Sequence, residues 1–564
     1  MMLNRICILT ILLCSVNLGF SNSTSPNDRV QKFKKMGLVW GLLKYHHPDI
    51  SDGDYDWDEE FIKLFGEIEK LDGAEKVDST LLLFVKGFNT KGIRIGDSKD
   101  PELFMKNYHY QWIADIIGNS DLKKLLNQLK ENRNISDYYT EVSYLGFIDF
   151  PHDKGRKDFN VATSSHRLLL LFKFWNVIQY WYANKFLITN NWEGILDKYI
   201  PEFLSCENAF EFELLKSRLF TELKDSHTTF NSRIVYDSLF KYKPNFRVTN
   251  VNDSLVVNFI TNQKKCKKDD IQLGDVITEI NGMSVKETLN QQLLPLIPVS
   301  NSSKLPYYSF YLLCNSKSEI DVSMIREGEL HKRRIHLSEE PVLDNPKTKE
   351  GKHSPIEKLR KDVFYLDLSG LTNKACDSFF KVNENNIENL VIDLRQNVNP
   401  ELGIKHLGNY LVNQKKNFVN VLHPVGNTPS KFEFIERSEG LIGVFSDAFT
   451  VGKKSNKKYV KGKIILLVNR KTQSIGEYYG MAIQQAENCT TVGQQTAGAP
   501  MNITTFELPD STVLTFTSMT GYYPNSELTV QKNGLKIDHY VPLSAIDYHS
   551  DQFIDFALTI IKEN

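Results

Sequence analysis

The chain has 564 residues, 41% of them hydrophobic and 24% charged, with a formal net charge of −1. That length accommodates three or four domains. The balanced charge leaves no field that would draw nucleic acid or an anionic membrane, so neither is expected as a partner.

Residues 1–21 read as a secretory signal. Arg5 supplies the positive start, Ile6–Val16 the apolar run, and Gly19-Phe20-Ser21 a small-x-small cleavage site. The run is too short to span a bilayer. The expectation is an exported protein, periplasmic, cell-surface or secreted, from a bacterium, with no transmembrane segment after signal removal. Cys206, Cys266, Cys314, Cys376 and Cys489 remain, an odd number without C-x-x-C spacing. They read as buried small apolar residues and argue against both a disulfide framework and a zinc site.

Residues 22–160 form a mostly helical region holding the first copy of a degenerate repeat, and 161–235 hold the second. Trp40–Trp57 aligns with Trp175–Trp192: both tryptophans and a tyrosine (Tyr45, Tyr180) recur at one offset of 135 residues. Each copy continues into an amphipathic helix, EEFIKLFGEIEKL or EGILDKYIPEFL, which predicts a duplicated helical unit with aromatics in its core. The competing reading, a carbohydrate- or protein-binding module, requires those tryptophans to be exposed. DYYTEVSYLGFIDFPHD predicts one or two short strands. In Leu168–Tyr182, Lys173, Asn176 and Gln179 recur at threes, predicting a half-buried helix capped by Ser164 or Ser165. His46 and His47, before Pro48, read as surface or packing residues, because no carboxylate stands at ligand spacing.

Residues 236–345 change to short β runs. EIDVSMIREGELHKRRIHL is a hairpin signal turning at Glu327-Gly328-Glu329. In LGDVITEINGMSV, Val276–Ile280 is a strand and Asn281-Gly282 a tight turn. This segment resembles the core of PDZ domains, which bind the C-termini of peptides by strand addition. Residues 346–564 alternate strand and helix, which implies an α/β core, and the lysine-rich 453–463 stretch reads as a solvated loop. At IILLVNRKTQSIGE a buried strand (Ile464–Val468) meets a helix at Ser474. A serine there can be a nucleophile beside helix N–H groups that would hold an oxyanion. Ser474 with Glu477 is also S-x-x-E, a capping box.

The PDZ-like segment, LVIDLR (Leu390–Arg395) and VNRKTQSIGEYYGMAIQQAENCTTVGQQTAG together resemble the tail-specific, C-terminal-processing serine proteases, over roughly residues 205–550. The resemblance implies a ClpP/crotonase-like α/β catalytic core with a PDZ-like β module and an α-helical N-terminal region. It also implies a peptide or unfolded protein substrate held by its C-terminus, and no metal or organic cofactor. Ser474 matches the family nucleophile. The processing branch activates its serine with a lysine 25 residues on, where this sequence has Ala499. The tricorn-like branch uses a histidine ahead of the β module, and Lys224-Asp225-Ser226-His227-Thr228 fits that pattern. His227 is then the general base, since a serine hydroxyl needs a base of near-neutral pKa. Gln531 stands where the branch places its triad glutamate, Glu527 is poorly placed to replace it, and Ser226 is a further candidate for orienting the base. Ile475 N–H is the expected oxyanion donor. The glycine pair expected after LVIDLR is Gln396-Asn397-Val398-Asn399-Pro400, leaving Asn399 N–H as the second candidate because Pro400 has none. Arg395 and Asp393 read as groups that fix this loop. The expectation is an exported serine peptidase. The alternative is a catalytically impaired relative that binds peptide or ligand in the same cleft.

Overall fold

The computed structural model describes residues 26–564 apart from 89–102, 132–135, 144–145, 189–190, 230, 340–353, 385, 436–447, 454–458, 544–549 and 563–564. The signal segment and the middle of the lysine-rich loop therefore lie outside the described residues.

Four helices carry the repeat: α1 (Pro26–His46), α2 (Trp57–Glu69), α3 (Ser164–Trp181) and α4 (Trp192–Ser205). In the first copy the Trp40 indole donates to Trp57 O and the Trp57 indole donates to Trp40 O. In the second, Trp175 and Trp192 make the same exchange. Both pairs stack, with centroids 6.1 and 6.4 Å apart. The four tryptophans are buried, so they are packing residues and the exposed-aromatic module is excluded.

α1 and α3 meet through equivalent positions. A Cβ on Gly37 would fall 2.0 Å from the Phe172 ring, and one on Gly41 would fall 1.9 Å from the Asn176 side chain. Tyr45 meets Tyr180 edge to face at 5.5 Å. Each residue touches its own counterpart 135 positions on, so the helices run parallel about a local pseudo-two-fold axis, as in an isologous dimer.

The polar stripe of α3 departs from expectation. Lys173, Asn176 and Gln179 are all buried, and the helix is enclosed rather than half-buried. Lys173 pairs with Asp153 and Asp58 at 2.8 and 3.0 Å, Asn176 donates to Gly37 O and Phe172 O, and Gln179 donates to His109 O. Periodicity reports a polar face, and only the neighbours decide whether water or protein satisfies it. Thr163, not Ser164 or Ser165, is the N-cap, and it makes no side-chain capping bond. His46 and His47 are buried. Among the five described cysteines, all free, four are buried and Cys489 is half-buried.

The following β module is an antiparallel sheet of β1 (Phe246–Val251), β2 (Ser254–Ile260), β3 (Val276–Ile280), β4 (Glu319–Arg326) and β5 (Glu329–His336), paired in that order. Asn281-Gly282 and Glu327-Gly328 turn with both residues at positive φ, the conformation that two-residue hairpins require.

The last region builds a six-stranded sheet. Its strands are β6 (Ile356–Arg360), β7 (Val363–Asp367), β8 (Asn389–Asp393), β9 (Ile464–Val468), β10 (Cys489–Gly493) and, beyond a separate hairpin of β11 (Ile503–Glu507) and β12 (Val513–Thr517), β13 (His539–Tyr540). The order is β13-β10-β9-β8-β7-β6, parallel except for β6. All five β9 residues are buried, as a central parallel strand requires. The β11–β12 hairpin leaves this layer: Phe506, Leu508, Leu514 and Phe516 join the core of the helical region. Gly155 N–H donates to Glu507, Arg156 N–H to Pro509 O, and the Thr504 hydroxyl to Ile148 O.

Candidate active site

Ser474 stands between β9 and α5 (Ile475–Ile483), beyond the carboxyl end of a central parallel strand, where open α/β sheets carry their sites. Its φ of 54° and ψ of −120° are costly for any residue with a Cβ. The Ser474 side chain makes no capping bond. Glu477 points elsewhere: it is fully buried and accepts from the Thr496 hydroxyl, Gly498 N–H and Ala499 N–H at 2.5, 2.7 and 2.8 Å. Ser474 N–H donates to Ala499 O at 2.9 Å. The S-x-x-E pattern is therefore not a capping box. Glu477 braces the 496–499 loop, which in turn holds the serine in its strained turn. Burial pushes the Glu477 carboxyl up to about 7, against the pull of those three donors and of Lys304.

The His227 loop is tied to this corner. Gln473, next to Ser474, donates from its side chain to Ser226 O at 3.0 Å. The Ser226 hydroxyl donates to Ala497 O and accepts from Ser300 N–H, both at 2.9 Å. Ser226 thus fastens three loops together; its hydroxyl is committed there rather than to His227.

What orients His227 is Thr517. Nδ1 of His227 and Oγ1 of Thr517 are 2.9 Å apart, and the Thr517 hydroxyl lies 2.8 Å from Asp225 Oδ1. An ionised carboxylate only accepts, so the Thr517 proton points at Asp225 and its oxygen accepts Nδ1–H. That sets the tautomer with a lone pair on Nε2, which is buried and has no hydrogen-bond partner among the described residues. Asp225 is itself fully buried and accepts from Thr517 N–H (2.7 Å), His227 N–H (3.0 Å) and the Tyr182 hydroxyl (3.1 Å). Thr515 donates to His227 O at 2.7 Å. Burial holds the imidazole below its usual pKa; Asp225 pulls it back up and Lys304 pushes it further down.

Gln531 is buried close to the Tyr182 hydroxyl, and its amide atoms have no hydrogen-bond partner among the described residues. It stands one group removed from Asp225, so the carboxylate aligned behind His227 is Asp225. The K-D-S-H-T run contains this aspartate two residues before the histidine, a local signal that the sequence reading passes over. Thr517, inside an alternating strand, carries no such signal. Ile475 N–H opens α5 and makes no backbone hydrogen bond among the described residues. Asn399 N–H donates to Leu368 O at 2.9 Å. It is occupied, which removes the second oxyanion candidate. Arg395 pairs with Asp393 and Asp551 at 2.6 and 2.7 Å and fixes the loop beside it. Among the described residues no group of three or more His, Cys, Asp and Glu is placed to hold a metal ion.

Residues 362–541 match peptidase family S41. That stretch is similar to the S41 peptidases. The matched span includes Ser474 and Gln531, while His227 lies upstream of it. A probable CtpA-like serine protease of Staphylococcus aureus (strain COL) is 22% identical over 287 residues, covering 51% of this protein and 50% of that one. This sequence therefore spans about half the length of the curated relatives it matches. Among solved structures, mature CPAF superposes with a TM-score of 0.53 at 13% identity, over 70% of this protein and 96% of that one. Mature CPAF complexed with lactacystin gives 0.51 at 13%, over 70% and 97%. These likenesses concern the fold. The protein is a mixed α/β structure with helices and several sheets, like those neighbours. No helix among the described residues is long and apolar enough to cross a membrane.

Proposed function

We propose that the protein is an exported serine peptidase in which Ser474 attacks the scissile carbonyl and His227 is its base. The observation that supports this reading is the Asp225–Thr517–His227 relay, which leaves a lone pair on Nε2 in a loop tied to the serine corner through Gln473, although Nε2 makes no hydrogen bond to the Ser474 hydroxyl in this structure. His227 Nε2 takes the hydroxyl proton as Oγ bonds to the carbonyl carbon and the C=O pair moves onto oxygen. Collapse of that intermediate breaks the C–N bond, and the departing amine takes the proton from His227. Water, deprotonated by the same nitrogen, then bonds to the acyl carbon; the C–Oγ bond breaks and Ser474 Oγ takes the proton back from His227, releasing the acid. Asp225 stabilises the transient imidazolium through Thr517, and Ile475 N–H faces the oxyanion.

In this reading Gln531, Ser226 and Asn399 hold the surroundings of the site rather than taking part. The β module, with its PDZ-like turn and strand, holds the C-terminus of a peptide or unfolded protein. The α/β layer is the ClpP/crotonase-like core, and residues 1–21 direct export. The test is labelling of the mature protein by a fluorophosphonate probe. Wild type should label at Ser474, and Ser474→Ala and His227→Ala should not. A wild-type protein that binds peptide and never labels would overturn the reading in favour of the impaired, ligand-binding alternative.

A further inference from the structure

Helix Ala209–Thr221 leads into the loop that carries Asp225 and His227, and it extends the second copy of the repeat. Its counterpart 135 positions earlier is helix Ala74–Lys86. The two match end to end, and Leu81, fully buried in the core, stands where the second copy has Lys216. Lys216 is buried as well, at 2% exposure. A leucine fills this position by packing alone. A lysine there, whose ammonium is taken out of water, answers a different demand.

That demand comes from the tip of the β11–β12 hairpin. Lys216 Nζ donates to the Asp510 carboxylate and, at 2.8 Å, to the Thr512 hydroxyl, and it pairs with Glu213 at 2.7 Å. Asp510 in turn accepts from the N–H and the hydroxyl of Thr512 at 3.1 and 2.9 Å, closing the turn around the ammonium. Five residues on, Thr517 gives its N–H and its hydroxyl to Asp225 and lies against His227 Nδ1. One helix and the loop that follows it therefore grip the same strand at two points about 17 Å apart. An extended strand is stiff along its own axis, so a slip at Thr512 reaches Thr517 undiminished. The Thr517 hydroxyl serves Asp225 at 2.8 Å and His227 at 2.9 Å. A slip of about 1 Å takes one of the two beyond bonding distance.

The next residue holds the other wall of the same loop. Ser217, fully buried, donates to Leu296 O at 3.0 Å. Four residues beyond Leu296, Ser300 bonds Ser226 through both its hydroxyl and its N–H.

We propose that Lys216 is a positioning residue for the base: its ion pair with Asp510 sets the axial register of β12 and thereby holds Thr517 between Asp225 and His227. This rests on the serine peptidase reading. Lys216 acts through Thr517 and not on the substrate, and no bond to it forms or breaks in turnover.

The experiment uses the full mature protein as wild type, as Lys216→Leu combined with Asp510→Asn, as Lys216→Arg and as Asp510→Asn alone. The paired variant takes the first copy's residue and leaves no uncompensated charge at Asp510. The measurements are thermal melting, the rate of fluorophosphonate labelling, and kcat and KM on a fluorogenic peptide carrying a casein cleavage site. We expect the paired variant to melt close to wild type, with kcat and labelling rate lowered about 10- to 100-fold, the cost of a misplacement near 1 Å, and KM within about threefold. Lys216→Arg keeps the charge pair and should keep most of the rate. Asp510→Asn alone, which preserves shape, should show a smaller loss of the same kind, and it decides the matter if the paired variant does not fold. Wild-type kcat in the paired variant, or in Asp510→Asn where that variant decides, would overturn the proposal and leave Lys216 a stability residue. So would a rate that recovers fully on cooling below the melting transition, because the loss would then be one of unfolding. A rise in KM with kcat unchanged would overturn it too, placing the hairpin tip in the path of the substrate. In each of these cases wild type still labels and the peptidase reading stands; a wild type that never labels would bring down both.

Discussion

The serine corner and the histidine loop are built in opposite ways. Ser474 is positioned by one contiguous passage from β9 into α5, braced by Glu477 three residues on. His227 is positioned by Tyr182, Asp225 and Thr517, groups from three separate stretches spanning more than half of the sequence. Thr517 reaches it only because the β11–β12 hairpin buries its apolar face in the duplicated helical region. The proposed nucleophile is thus placed locally, while the proposed base is placed by tertiary packing. The helical region acquires a role in this comparison: it is the socket that sets the hairpin and, through Thr517, the His227 ring.

The largest effects should fall on the local half. Ser474→Ala should abolish labelling and lower turnover by more than ~10⁴-fold, since triad members act as a unit. Ser474→Gly should be as inactive and yet more stable than Ser474→Ala by about 1 kcal/mol in denaturant melts, because glycine adopts the strained φ freely. Asp225→Asn should cost ~10²–10⁴-fold in kcat. Gln531→Met should leave kcat within a few fold and raise stability by about 1 kcal/mol, by removing an unpartnered buried amide. If Gln531→Met were the more damaging of the two, the orienting relay would run through the amide and the Asp225 assignment would be wrong.

Breaking the distant half tests the socket. Gly37→Ala would press a methyl into the Phe172 ring across the pseudo-two-fold crossing and should cost about 1–3 kcal/mol in melting experiments. A protein that keeps its melting transition yet loses labelling would show strain travelling along the hairpin to His227.

Two pH measurements sharpen the picture. The imidazole is held below its ordinary range, so labelling should stay on its plateau down through pH 6.5 and fall only as pH drops through that lowered value. Lys304→Met should move this acid limb upward by removing a like charge. Glu477 is shifted the other way, from 4.5 to about 7, so the folded state binds the extra proton. Its contribution is present below about pH 4.5 and is lost as pH rises to 7, and Glu477→Gln should flatten stability over that window.

The parts of the candidate site that the sequence singles out carry local signals. A buried strand run, a polar turn and a helical pattern bracket Ser474 within a dozen residues, and His227 stands in a short motif. The polar stripe on α3 and the S-x-x-E pattern misled for one physical reason. Each pattern states which groups need partners, and the partners come from elsewhere: Asp153 and Asp58 for Lys173, the 496–499 backbone for Glu477.

By itself the amino-acid sequence determined the order of a helical duplication, a β module and an α/β layer. It also determined the serine at the strand–helix corner and the tryptophan pairs that pack as core, since periodicity, turn chemistry and repeat spacing are properties of neighbouring residues. Only the tertiary structure decided that Asp225 rather than Gln531 stands behind the histidine, and that Asn399 is already occupied. Those facts are hydrogen bonds and desolvation between residues tens to hundreds of positions apart, and no spacing along the sequence encodes which of them close.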